Sequence, residues 1–125
     1  MHGKRILVVD DDPSMRFLFR LIFESSGYEV SEAQHGVAAL LRIKGAMPDL
    51  VVTDIVMPIM DGGELIQHLK SDPQTAEVPI VAVTGSPYAE ARAVKADVVM
   101  NKPFQQSALL AIVNSLLGAQ QLSYG

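Results

Sequence analysis

At 125 residues the chain has room for one domain and little more. Hydrophobic residues make up 49% and charged residues 19%, enough apolar material for a buried core and too much for a disordered segment. Ten Lys and Arg against fourteen Asp and Glu leave a net charge of −4 with no local basic stretch, which argues against nucleic acid as a partner, and the lack of cysteine excludes disulfides, thiolate metal sites and a cysteine nucleophile.

The first apolar run, Ile6-Leu7-Val8-Val9, is too short for a helix, is rich in β-branched residues, and stops at Asp10-Asp11-Asp12. It reads as a buried strand that delivers acids into a loop. Asp12-Pro13 then starts a helix, because Asp12 can accept from free amides and Pro13 has no amide to leave unpaired. Met15, Leu18, Phe19, Ile22 and Phe23 recur at helical spacing, and Gly27 ends the element. Tyr28-Glu29-Val30 is a shorter second strand, followed by a helix over 37–43. Leu50-Val51-Val52-Thr53 is a third buried strand, again ending in an acid, Asp54. Asp61 caps the next helix with Glu64 as its capping-box partner, and Leu65, Ile66 and Leu69 form the apolar stripe. The fourth strand, Ile80-Val81-Ala82-Val83-Thr84, ends in a hydroxyl, and Ser86-Pro87 opens a helix to about Val94. The fifth strand, Asp97-Val98-Val99-Met100, precedes Lys102, and a last helix covers about 107–117.

Strand and helix thus alternate five times with little polar alternation inside the strands, the pattern of a parallel sheet covered on both faces. Right-handed crossovers put every strand end on one edge, where open sheets keep their sites. That edge collects Asp10, Asp11 and Asp12, then Asp54, Thr84 and Lys102. Asp12 reads as a cap. The other acids, converging from two strands, repel one another unless a cation joins them, and an oxygen-only donor set points to Mg2+. A carboxylate beside a metal, a hydroxyl and an ammonium group is also a sensible phosphoryl acceptor. Gly62-Gly63 has no following Lys-Ser/Thr and reads as loop and helix-start chemistry, not a nucleotide cradle.

These residues resemble the receiver domain of two-component response regulators. The resemblance rests on Ile6-Leu7-Val8-Val9-Asp10-Asp11-Asp12, on Asp54-Ile55-Val56-Met57-Pro58 through Asp61-Gly62, on Val83-Thr84-Gly85, and on Lys102-Pro103-Phe104, in that order. It covers residues 4–117 and implies a flavodoxin-like (βα)5 three-layer sandwich, a five-stranded parallel sheet flanked by five helices. The expected domain is 1–118, with 119–125 as a flexible tail. It further implies that Asp54 accepts the phosphoryl group and that Asp10, Asp11, Asp54 and the Val56 carbonyl hold Mg2+. Thr84 is then the switch hydroxyl, and Lys102 pairs with Asp54 and later with a phosphoryl oxygen. The implied donor is a histidine kinase or histidine phosphotransfer protein, and the implied output is contact with a downstream protein target or output domain. The implied chemistry is the domain's own phosphorylation and dephosphorylation, not enzymatic turnover. The Lys102-Pro103 peptide is expected to be cis.

Two positions depart from the pattern. Val99 stands where the family often has Tyr or Phe, so no large ring reports phosphorylation; Val56, two positions past the acceptor, offers no polar group to position water and points to a long-lived phosphoryl state. His35 and His68 lie in or near helices, away from the strand-end edge, and read as surface histidines. Kinases and phosphotransfer proteins usually dock near the first helix, around Met15, Arg16 and Leu18. Arg92, Lys95 and Val98-Val99 lie where the family meets other partners, and Tyr88 is a further candidate contact. No apolar run reaches the roughly 20 residues of a membrane helix, and the start resembles no signal peptide, so the expected location is the cytoplasm with no membrane contact. Neither a helix-turn-helix nor a basic output stretch is present, which leaves a single-domain regulator or a receiver from a longer regulator or hybrid kinase. The alternative function is a binding-only module of the same fold that is never phosphorylated.

Overall fold

In a computed structural model, which describes residues 3–86, 89, 91–93 and 95–122 (119–122 by backbone alone), five short strands form one parallel sheet. They are β1 (Arg5–Val9), β2 (Glu29–Ala33), β3 (Leu50–Thr53), β4 (Ile80–Thr84) and β5 (Val98–Asn101), in the order β2-β1-β3-β4-β5. Between them run α1 (Pro13–Ser25), α2 (Gly36–Gly45) and α3 (Gly62–Ser71), and α4 (Gln106–Leu122) closes the chain. This is the flavodoxin-like (βα)5 topology. Of the helix expected over 86–94, residues 87, 88, 90 and 94 lie outside those described; Ala91–Ala93 form a 3-10 turn there.

The central strands carry the core because both their faces are covered. Ile6 and Val8 of β1, Leu50 and Val52 of β3, and Val81 and Val83 of β4 pack with Phe19, Phe23, Leu109 and Val113 of α1 and α4. The alternate residues Leu7, Val9, Val51, Ile80 and Ala82 pack with Ala39, Ile43, Leu65 and Ile66 of α2 and α3. This period-2 division gives the strands their continuous apolar runs.

Local chemistry sets the helix ends. Asp12 caps α1 by accepting from the Ser14 amide at 2.9 Å, with Pro13 in the first turn. Gly27, at φ 91°, turns the chain out of α1 while the Tyr28 amide donates to Phe23 O. Asp61 and Glu64 form the reciprocal capping box of α3. By contrast, α4 passes through Gly118 to Leu122, beyond the stop expected near 117. One glycine costs a helix only about 1 kcal/mol; residues 123–125 lie outside those described.

Edge strand β2 is longer than the sequence suggests, and the charge of its Glu32 is paired. Glu32 accepts from Arg16 Nε at 2.9 Å and from Arg20 Nε at 2.8 Å. Burial would raise the Glu32 carboxyl, but the two guanidiniums outweigh it and hold the group below the usual range. The pairing therefore stabilises the fold fully above the ordinary glutamate range, and that contribution is lost as pH falls through the lowered folded value. Glu32→Gln should cost about 1 kcal/mol near neutral pH and nothing in strong acid, which urea melts of both proteins across pH will read.

Candidate functional site

The carboxyl ends of β1, β3 and β5 bring Asp10, Asp11, Asp54 and Lys102 together. Carboxylate oxygens of the three aspartates lie within 4.8 Å of one another. Lys102 Nζ donates to Asp10 Oδ2 at 3.3 Å and to Asp54 Oδ2 at 3.2 Å. Strand order explains the meeting: β1 and β3 are neighbours, and the helices that follow them, α1 and α3, pack on opposite faces, the arrangement at which open sheets keep their sites.

Each side chain is held differently. Asp10 is 1% exposed, and its Oδ1 accepts from the Asp12 amide at 2.9 Å. Asp54 follows β3, donates its amide to Val9 O, and takes the Ile55 amide on Oδ1 at 2.7 Å. Asp11 is exposed, and among the described residues no hydrogen bond or ion pair holds its carboxylate. Lys102 is anchored by its amide on Thr84 O at 2.8 Å, and the Lys102-Pro103 peptide is cis.

Electrostatics follow from three acids facing one ammonium. Burial pushes the Asp10 carboxyl above the ordinary aspartate range, against the Asp12 amide and Lys102, which favour its charge. Burial also disfavours the Lys102 charge, but Asp10 and Asp54 outweigh it and hold the ammonium above the usual lysine range. An excess of negative charge remains, in an oxygen-only donor set. Octahedral Mg2+ keeps oxygens about 2.1 Å from the ion, so carboxylates this close can share one after small side-chain adjustments. Among the described residues no donor reaches the Val56 carbonyl, which leaves it free as a further oxygen. The residues present fit a hard divalent cation.

The remaining expected residues fall into place unevenly. Thr84 is fully buried at the end of β4, and its hydroxyl accepts from the Ser86 amide at 3.2 Å. Val56 projects its side chain into solvent, 58% exposed. His35 is a correction. It follows β2, lies on the strand-end edge, and caps α2 with Nδ1 accepting from the Ala38 amide at 3.1 Å, so it is an edge residue with a structural task. Met15 and Leu18 pack against the core, and Phe17 and Leu21 are the exposed apolar residues of α1. Val98 is likewise part of the core, Val99 is partly exposed, and Arg92 pairs with Asp61. Tyr88 lies outside the described residues.

Two contributors were not legible in the sequence. Gly62 lies against the Asp54 main chain, where an added Cβ would meet Asp54 O at 2.1 Å. Arg16 donates from Nη1 to Asp10 O at 2.7 Å. The first could have been suspected from a glycine placed between a cap and a helix near an acid; nothing local signals the second.

Comparison with known proteins agrees with this geometry. The family profile described as "Response regulator receiver domain" matches residues 6–114. The chain is 37% identical over 119 residues to the chemotaxis protein CheY of Halobacterium salinarum, covering 94% of this chain and 99% of that protein. It is 32% identical over 117 residues to the DNA-binding dual master transcriptional regulator RpaA of Synechocystis, covering 90% of this chain but only 48% of RpaA, so it spans about half the length of that relative. The crystal structure of response regulator TrrA from Thermotoga maritima, in complex with Mg2+ and BeF, superposes with a TM-score of 0.84 at 32% identity, covering 91% of this chain and 99% of that one. No helix among the described residues is long and apolar enough to cross a membrane.

Proposed function

The chain belongs to the response regulator receiver domain family, and from that premise we propose that Asp54 is its phosphoacceptor and that Asp10, Asp11, Asp54 and the Val56 carbonyl hold Mg2+. The observation that carries the reading is the convergence of three carboxylates and the Lys102 ammonium at the ends of β1, β3 and β5.

An Asp54 oxygen attacks the phosphorus of a phosphohistidine or a small acyl phosphate. The new P–O bond to Asp54 forms as the P–N bond to imidazole, or the P–O bond to the acyl oxygen, breaks, and the leaving group departs with the electron pair. Mg2+, when bound, supplies positive charge for the transferring oxygens. Lys102 already lies within hydrogen-bond reach of Asp54 and can pass to a phosphoryl oxygen as the aspartate becomes an acyl phosphate. Thr84 can release the Ser86 amide and turn its hydroxyl toward the same group. The domain acts on its own side chain and turns over no separate substrate. Its donor is a histidine kinase or histidine phosphotransfer protein, and its output is phosphorylation-dependent contact with a protein target or an attached output domain. Cytoplasm is its place, because ATP-fed phosphohistidine donors work there.

Intact mass after incubation with Mg2+ and acetyl phosphate tests the reading. A single phosphoryl adduct is expected, absent when the metal is chelated, and decaying over minutes or longer because Val56 positions no water. An adduct gone in seconds would overturn the inference about Val56. No adduct, together with no spectral change on adding beryllofluoride, would overturn the phosphoacceptor reading in favour of a binding-only module.

A further inference from the structure

We propose that Arg16 is a positioning residue for the acid pair: it fixes the plane of the Asp10–Asp11 peptide and so aims both carboxylates. The inference rests on the reading that this cluster takes Mg2+. Asp11 is the reason a positioning residue is needed. It is exposed and has no side-chain partner among the described residues, yet one of its oxygens belongs to the cluster spanning 4.8 Å. Its aim is therefore set by the main chain alone.

That main chain is clamped on both sides of Asp10. The Asp10 amide donates to Ala33 O at 3.1 Å, and Arg16 Nη1 donates to the Asp10 carbonyl at 2.7 Å. The carbonyl belongs to the very peptide whose rotation would swing Asp11. Arg16 can hold it because its own guanidinium is fixed from two directions. It leaves the first turn of α1, anchored by the Asp12 cap, and its Nε donates to Glu32 at 2.9 Å. Arg16 is also well covered, with a side chain 17% exposed. A planar, rigid fork holds a carbonyl and a carboxylate in one fixed relative orientation, whereas a lysine ammonium, on a flexible stem with rotatable donors, does not impose that orientation. Arg20 provides the natural comparison: it binds the same Glu32 but makes no hydrogen bond to Asp10.

Titrating Mg2+ into Arg16→Lys and Arg20→Lys, followed by 1H–15N amide spectra, separates positioning from general packing of α1 on β2. Outer partners of metal ligands typically contribute about 10-fold or more to affinity. Arg16→Lys should therefore weaken Mg2+ binding by about that factor and shift the Asp11 and Asp12 amides in the metal-free protein. Arg20→Lys should leave both readouts as in the wild type. Wild-type affinity in Arg16→Lys, or equal weakening in the two variants, would overturn the assignment. If the wild-type protein takes up no Mg2+, the metal-site reading falls and this inference falls with it; if only the two variants behave alike, the site stands and Arg16 loses its role.

Discussion

Asp54→Asn should abolish phosphorylation while leaving the fold intact. The carboxylate is the nucleophile, and an amide has neither its negative charge nor its electron density at oxygen, so a rate loss on the order of 10³-fold or more is expected. The surroundings tolerate the change. An asparagine Oδ1 can still accept the Ile55 amide, and Lys102 keeps Asp10 as a partner. Removing one of three mutually repelling acids also relieves the metal-free protein, so the thermal midpoint should hold or rise. Intact-mass time courses and melts of both proteins decide the matter. A variant that acquires the adduct at the wild-type rate would place the acceptor elsewhere, and Asp11 would be the first carboxylate to replace.

Gly62→Ala should be the most damaging conservative change near the site. A Cβ there would lie 2.1 Å from Asp54 O and 2.8 Å from Ile55 Cα, and these are main-chain atoms that cannot rotate away. The Gly62 amide also donates to Ile55 O at 2.8 Å, so α3 and the loop after β3 must separate together. Overpacking against backbone costs about 3 kcal/mol, which for a domain of this size lowers the melting temperature by about 10 °C. Because the contact bears on the Asp54 peptide, Mg2+ affinity should fall with stability. Gly45→Ala, at the end of α2 where a Cβ meets nothing within 4 Å, is the control and should leave Mg2+ affinity unchanged and the melting temperature unchanged or slightly raised. Equal melting of the two variants would show that the Asp54 loop yields more readily than its hydrogen bonds imply.

What could be read in the chain, and what could not, divides along one physical line. Buried β-branched runs that stop at a charge, as at Val9-Asp10 and Thr53-Asp54, need no tertiary information to be recognised, because both the run and its end are local. The caps at Asp12 and Asp61 are equally local. Strand β2 is different: Ser31 and Glu32 look like loop until Arg16 and Arg20, on another element, take up the glutamate charge. The tasks of Gly62 and Arg16 depend in the same way on atoms distant in sequence, and His35 lies on the strand-end edge only because β2 extends to Ala33. The resemblance named the acids; it did not name what aims them.

The sheet also acts as a partition. Phe19 and Phe23 share a cluster with Leu109 and Val113, while Ile66 and Leu69 lie in the cluster on the opposite face. Substitutions buried on opposite faces, without shared contacts, combine additively in free energy. Each half of the molecule can therefore drift in sequence under separate selection. The exception is the strand-end edge, where the loop after β1 leads into α1, the loop after β3 into α3, and the loop after β5 into α4. There a change in charge bears on both halves together. Two hydrophobic compartments thus share one polar junction, at which a change at Asp54 borders the helices of both faces.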